Sequence, residues 1–178
     1  MNRTALITLL QNYCPTASEE IIFKKDMLAF IKSNSYCFER TLESGHVTAS
    51  CWLVNKDNSE ALLTHHMKLD RWFQLGGHCD GETDVLGVAI KEAQEESGIN
   101  AIEPVSSDIF DIDIHLIPEN KREKAHYHYD VRFLLRVTSD EQTAVSHESK
   151  ELRWISKELS QLPSHEPSMV RMFTKWTE

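Results

Sequence analysis

Glu92, Glu95 and Glu96 stand at spacing i, i+3, i+4 in the stretch VLGVAIKEAQEES. On one helix they share a face, where each like-charge pair costs roughly 0.2–0.5 kcal/mol. They also fall in the last turns, the end at which the helix dipole disfavours negative charge. A wet surface tolerates such a face, and a solvated acidic patch is one reading. A bound cation removes the penalty. Just upstream, Gly76-Gly77 lets backbone approach another group closely. Mg²⁺ takes oxygen ligands, keeps several waters and bridges to substrate phosphates, so a glycine turn feeding a helix with three carboxylates suits it. Thr83 or Asp84 as N-cap and Gly98 as the residue after the C-terminus predict the helix over 84–97. Leu86, Ile90 and Ala93 form its expected core stripe.

The stretch from Gly77 to Ile99 resembles the Nudix box, G-x5-E-x7-R-E-U-x-E-E-x-G-U, where U is aliphatic. Glu92, Glu95, Glu96, Gly98 and Ile99 fall in register over the 23-residue frame, and Ala93 takes the first U position. Lys91 stands at the family arginine, keeping the charge without the planar fork. Thr83 stands at the first glutamate, with Glu82 one place early, and Leu75 stands where a proline commonly precedes the double glycine. The resemblance implies an α+β fold: a Nudix-type α/β/α sandwich with a mixed or antiparallel sheet. It implies Mg²⁺ or Mn²⁺ on Glu95 and Glu96, with Glu92 as ligand or water-activating base. It adds the carbonyl of Gly76 or Gly77 as a further ligand and Lys91 as the group that orients the carboxylates. Glu148, before the last strand, is the further catalytic glutamate that some members carry, with Glu151 as second choice. The reaction implied is hydrolysis of a diphosphate linkage in a nucleoside diphosphate derivative: an ADP-ribose-like compound, a nucleotide sugar or a nucleoside triphosphate.

The elements around the box follow from periodicity. Leu6, Leu9, Leu10 and Tyr13 predict a helix over 3–13, and Thr16 with Glu19 predicts a capping box for a second helix reaching about Lys32. Residues 1–44 therefore read as an N-terminal helical extension and 45–178 as the box-containing domain. HVTASCWLV (46–54), EALLTHH (60–66), DIFDIDIHLIP (108–118), HYHYDVRFLLRV (126–137) and ELRWI (151–155) read as strands. A last helix is expected over 167–176.

The strands at 108–118 and 126–137 alternate cleanly. If they pair across the loop between them, His115 meets His126 or His128, and Asp111 meets Asp130 or Arg132. Their polar face is either a solvated sheet face with ion pairs or the wall of a substrate pocket, built from His115, His128, Asp113 and Arg132. His126 and His128 with His78 and Cys79 also offer zinc ligands, although not at motif spacing. His65, His66 and Lys68 could meet phosphates, and Trp72 or Phe73 could stack on a base; solvated strand ends and core aromatics are the plain alternatives.

The net charge of −9 argues against a nucleic-acid polymer or an anionic membrane as partner. It leaves room for a small phosphate ester beside a divalent metal. No apolar run approaches the ~20 residues of a membrane span, and the N-terminus does not read as a signal peptide. Four scattered cysteines without a CxxC suit free thiols in a reducing, cytoplasmic setting. A homodimer fits the resemblance. Two other functions share the fold: a nucleotide-binding regulatory module, for which the changed arginine and first-glutamate positions speak, and an isopentenyl-diphosphate-isomerase-like enzyme, which would need a catalytic cysteine such as Cys79.

Overall fold

The centre of the fold is a pairing with no local signature. β1 (Gly45–Val54) runs parallel to β7 (His126–Val137), in register from Gly45 with Tyr127 to Val54 with Arg136. Every residue of β1 is buried, as expected of a strand covered on both faces. In the computed structural model, which describes residues 2–120, 123–147 and 149–178, these strands organise an eight-stranded mixed sheet. The other edge of β1 pairs antiparallel with β2 (Glu60–His66) and β4 (Leu75–His78). Outside β2 lie β3 (Trp72–Phe73) and β8 (Ser149–Ser156). The free edge of β7 takes β6 (Asp111–Ile117) and then β5 (Ile102–Pro104).

Alternation along β1 sends its side chains to two cores. Val47, Ala49, Cys51 and Leu53 join Val131 and Phe133 of β7 under α1 (Thr4–Asn12), α2 (Ser18–Ser33) and α3 (Val85–Ser97). Trp52 and Val54 join Ala61, Leu63 and Ile155 under α4 (Pro167–Thr177), which contributes Met169, Met172, Phe173 and Trp176. The class is the expected α+β, with helices on both faces of a mixed sheet. Leu6 and Leu10 of α1 and Met27 and Ile31 of α2 belong to the same core as α3. No helix among the described residues is long and apolar enough to cross a membrane.

Several local expectations shift. The buried stripe of α3 is Val85, Val88, Ala89 and Ala93, with Leu86 and Ile90 only partly covered beside it. The small side chains of Ala89 and Ala93 bring the helix close to the sheet, turning the larger pair to the flank. The capping box of Thr16 and Glu19 is not made. Glu20 instead accepts the backbone N–H groups of Ala17 (2.9 Å) and Thr16 (3.1 Å). Its carboxylate is buried against Tyr13 and Lys175. β5 and a 3₁₀ turn at Leu159–Gln161 were not expected, since three residues carry too little periodicity to read.

Candidate active site

The box helix is set by its ends. Asp84 Oδ1 accepts the Gly87 N–H at 3.1 Å, and Gly98 closes the last turn at φ 75°. This aims the glutamates at β4. The edge of β4 is bare glycine: a Cβ on Gly77 would stand 2.5 Å from Glu92 Oε2, so the carboxylate rests on the backbone itself. Gly76 donates its N–H to Glu96 Oε2 at 3.1 Å. Gly76 has φ +155°, and a Cβ there would meet Ser50 Cβ at 2.2 Å, so only glycine fits between β1 and the helix. Lys91 Nζ lies 3.4 Å from Glu95 Oε1 and 4.0 Å from Glu92 Oε1, bridging the two carboxylates from the solvent side. Glu82 is engaged elsewhere. Its Oε1 accepts the N–H groups of Thr83 (2.6 Å) and Asp84 (3.0 Å), which lowers its pKa and steadies the start of α3. Glu148 lies outside the described residues, and Glu151 on β8 pairs with Arg153 at 2.9 Å. Glu92 and Glu96 thus converge on the glycine edge with Glu95 alongside, and every donor is an oxygen. The glycine cradle and this donor set fit a hard divalent cation.

On the opposite face of the sheet, β6 and β7 pair with Asp111 opposite Arg132, Asp113 opposite Asp130 and His115 opposite His128, the register their alternation predicts. Arg132 is 2% exposed. Its nitrogens lie 2.7 Å from Asp130, 3.1 Å from Asp111 and 3.5 Å from Asp113. Arg171 of α4 reaches Asp111 at 2.8 Å and Asp113 at 3.1 Å, and Lys175 reaches Asp111 at 2.8 Å. Asp130 also accepts the hydroxyls of Thr48 (2.9 Å) and Ser50 (2.8 Å). Burial pulls the Asp113 carboxyl up, but the His115 hydrogen bond and the Arg132 and Arg171 charges outweigh it and hold it well below the ordinary range. The guanidinium of Arg132 is fully committed to carboxylates, while His115 remains 41% exposed at the rim.

A family model described as the NUDIX domain matches residues 45–176. The chain belongs to the NUDIX domain family. The domain match and its hydrolase neighbours support a pyrophosphohydrolase, an enzyme acting on phosphoanhydride bonds. Solved Nudix-fold structures show the same architecture. A Caenorhabditis elegans Ap4A hydrolase in a binary complex is 20% identical with TM-score 0.59, over 74% of this chain and 94% of its own. A NUDIX-family hydrolase from Clostridium perfringens is 25% identical with TM-score 0.51, over 74% and 95%. A UDP-X diphosphatase, 12% identical with TM-score 0.56, covers 97% of this chain and 90% of its own. That coverage extends the likeness of fold beyond residues 45–176. No curated protein matches.

The Nudix sheet of this chain also carries a row of histidines. His46 of β1, His78 of β4 and His128 of β7 each offer a ring nitrogen within 4.8 Å of the other two. His126 stands 5.0 Å from His46 and His115 stands 5.4 Å from His128, centroid to centroid. Burial and the neighbouring imidazoles push His46 down to about 4 and His128 to about 2, and His78 is lowered too, so these rings are neutral at pH 7. His46 escaped the sequence reading because only the parallel β1–β7 pairing brings it opposite His128. Cys79, grouped there with the histidines, is instead in the α3-side core, its thiol pushed up by burial. His65 stacks on Trp72 at 4.9 Å and bonds Asp70 at 2.9 Å, and the Arg153 guanidinium lies 4.4 Å from the Trp72 ring centroid.

Proposed function

We propose that this Nudix enzyme hydrolyses the diphosphate linkage of a small nucleoside diphosphate derivative, with Mg²⁺ or Mn²⁺ held by Glu92, Glu95, Glu96 and the Gly77 carbonyl. The observation that carries the reading is the convergence of Glu92 and Glu96 on the glycine edge, one against the Gly77 backbone and one on the Gly76 N–H. When bound, a divalent cation supplies positive charge against the phosphoryl oxygens and acidifies the attacking water. The remaining work belongs to the chain. Gly76 and Gly77 leave room for carboxylates at the backbone. Lys91 sets Glu95 and limits repulsion with Glu92. Glu92 accepts the proton of the attacking water as its oxygen bonds to phosphorus and the bridging P–O bond breaks; the departing phosphate carries the electron pair. Glu148 is assigned a supporting catalytic role from its place before β8.

Of the residues expected to face substrate, we assign that role to His115, which stays open at the rim, while Asp113, Arg132 and His128 support it from the buried network and histidine row behind it. Solved structures of this fold carry names that state Ap4A, dihydroneopterin triphosphate, ADP-ribose or UDP-X as substrate, and a small diphosphate-linked substrate is extended to the present chain. Four free cysteines, three of them buried, support a cytoplasmic setting. An isomerase chemistry using Cys79 is disfavoured, because that thiol is buried and its pKa raised.

The test is a metal-dependent hydrolysis screen over ADP-ribose, nucleotide sugars, dinucleotides and nucleoside triphosphates, with products identified by mass spectrometry. Wild type and the Glu95→Gln/Glu96→Gln variant run side by side. Mg²⁺- or Mn²⁺-dependent turnover by wild type alone supports the reading. No turnover, with nucleotide binding still detected, replaces it with a regulatory binding module.

A further inference from the structure

We propose that His46, His78 and His128 form a second metal site, for a borderline divalent transition ion of the zinc class, separate from the carboxylate site on α3. Three ring nitrogens of this cluster are buried and unpaired. Among the described residues, four buried side-chain nitrogen or oxygen atoms lack a hydrogen-bond partner, and three of them are His46 Nδ1, His46 Nε2 and His128 Nε2. His46 is 2% exposed. A buried histidine kept for packing satisfies at least one ring nitrogen; His46 satisfies neither, and it faces two other imidazoles.

The geometry is that of ligands awaiting a shared partner. One nitrogen from each of the three rings lies within 4.8 Å of the others. Zinc holds imidazole nitrogens at about 2.0–2.1 Å in a tetrahedron, which sets them roughly 3.3 Å apart. Binding therefore draws the nitrogens together by up to about 1.5 Å. The three come from three strands, β1, β4 and β7, so the backbone fixes their spacing. Nitrogen donors without carboxylate or thiolate select zinc-class ions over Mg²⁺.

Two further imidazoles, themselves held by hydrogen bonds, surround the triad. His126 Nδ1 lies 2.8 Å from the Lys124 carbonyl. A carbonyl only accepts, so Nδ1 carries a proton and Nε2 is the nitrogen left to face the triad. His115 Nδ1 bonds Asp113 Oδ2 at 3.1 Å, which fixes that flanking ring. Arg171 and Arg132 in turn anchor Asp113. His126 and His115 flank the triad, and the partly exposed His115 gives a path from solvent.

The two sites are distinct in chemistry and in direction. Gly77 faces Glu92, whereas His78, one residue on, turns its ring to His46 and His128. The proposal does not rest on the hydrolase reading.

The test uses full-length protein without a polyhistidine tag, stripped with chelator and titrated with Zn²⁺ and with Co²⁺ as a spectroscopic probe. Wild type and Glu95→Gln/Glu96→Gln should each retain one equivalent of zinc through gel filtration, and their cobalt forms should show the intense visible bands of four-coordination. His46→Asn and His128→Asn should lose zinc affinity roughly 100-fold or more, since loss of an outer-shell partner alone costs 10–100-fold. Far-UV circular dichroism establishes which variants fold. If neither histidine variant folds, the wild-type cobalt spectrum decides: a faint six-coordinate spectrum, or none, overturns the proposal. So does zinc that leaves with Glu95 and Glu96 and survives loss of the histidines.

Discussion

Adding one methyl group to each of two adjacent glycines should separate catalysis from folding. At Gly77, a Cβ would stand 2.5 Å from Glu92 Oε2, and the atoms in the way belong to the end of a flexible side chain. Ordinary contact begins near 3.4 Å, so the carboxylate must retreat by about 0.9 Å. The helix, the strand and the Gly77 carbonyl need not move. At Gly76 the same methyl meets Ser50 Cβ at 2.2 Å, Ser50 Cα at 2.5 Å and the Ala49 carbonyl oxygen at 2.7 Å, with φ at +155°. Backbone cannot swing aside. Strain of that kind costs on the order of 1–3 kcal/mol before the overlap is counted. Gly76→Ala should therefore lower Tm by about 5 °C or more, at the usual 2–4 °C per kcal/mol for a domain of this size. Gly77→Ala should hold Tm within about 2 °C, helped by a smaller loss of chain entropy on folding. Its kcat should fall roughly 100-fold, the scale set by a 1 Å misplacement of a catalytic group. Thermal melts and steady-state kinetics on the substrate turned over by wild type read both numbers. Gly77→Ala with wild-type kcat would show that catalysis does not depend on where Glu92 rests. Equal thermal losses in the two variants would show that Gly77 is a packing residue.

Arg132→Met should destabilise the fold by about 3–5 kcal/mol in urea, because it leaves Asp111, Asp113 and Asp130 buried around a missing cation; a loss under about 1 kcal/mol would contradict the network. Trp176→Ala should cost about 3–5 kcal/mol, since the ring is buried against Trp52 and its indole N–H bonds Asn58 at 2.7 Å; an unchanged urea midpoint would refute that. Metal-free protein should lose stability as pH falls from 6.5. Unfolded histidine binds a proton near 6.5, whereas His46 stays neutral to about 4 and His128 to about 2. The unfolded state therefore holds more protons in that window, and each such histidine contributes a slope of about 1.4 kcal/mol per pH unit. Glu20, held down to about 2, adds its share only below its ordinary value near 4.5, so a flat urea midpoint between pH 6.5 and 5 would oppose the neutral-histidine account.

The box was legible because its parts are local. Helical spacing places Glu92, Glu95 and Glu96, and adjacent glycines mark the close approach before any fold is known. The β6–β7 pairing was legible because two alternating runs flank one short loop, and alternation fixes which polar residues meet. What escaped depends on residues far apart in sequence. Nothing in GHVTASCWLV announces that His46 will lie opposite His128, because parallel pairing over that distance leaves no periodic trace. The polar face of β6 and β7 read equally well as wet or buried. Only the arrival of Arg171 and Lys175 from α4 decides it, turning Arg132 into a covered cation. The stripe of α3 was rotated for a related reason: the sequence ranks Leu above Ala as a core residue, whereas close packing against the sheet favours Ala89 and Ala93.

The parallel pairing of β1 with β7 also sets an order of events at the ribosome. β1 is complete at Val54, but its neighbour begins only at His126. At roughly 5–20 residues per second, synthesis of the intervening chain takes several seconds. Over that interval β1 can pair with β2 and β4 through one edge, while the edge meant for β7 stands open with apolar residues on both faces. Such an edge invites pairing with a second nascent chain. Contacts spanning this much sequence also slow the final closure. Both the hydroxyl bonds to Asp130 and the meeting of His46 with His128 wait for that closure, so neither set of contacts forms until most of the protein has left the tunnel.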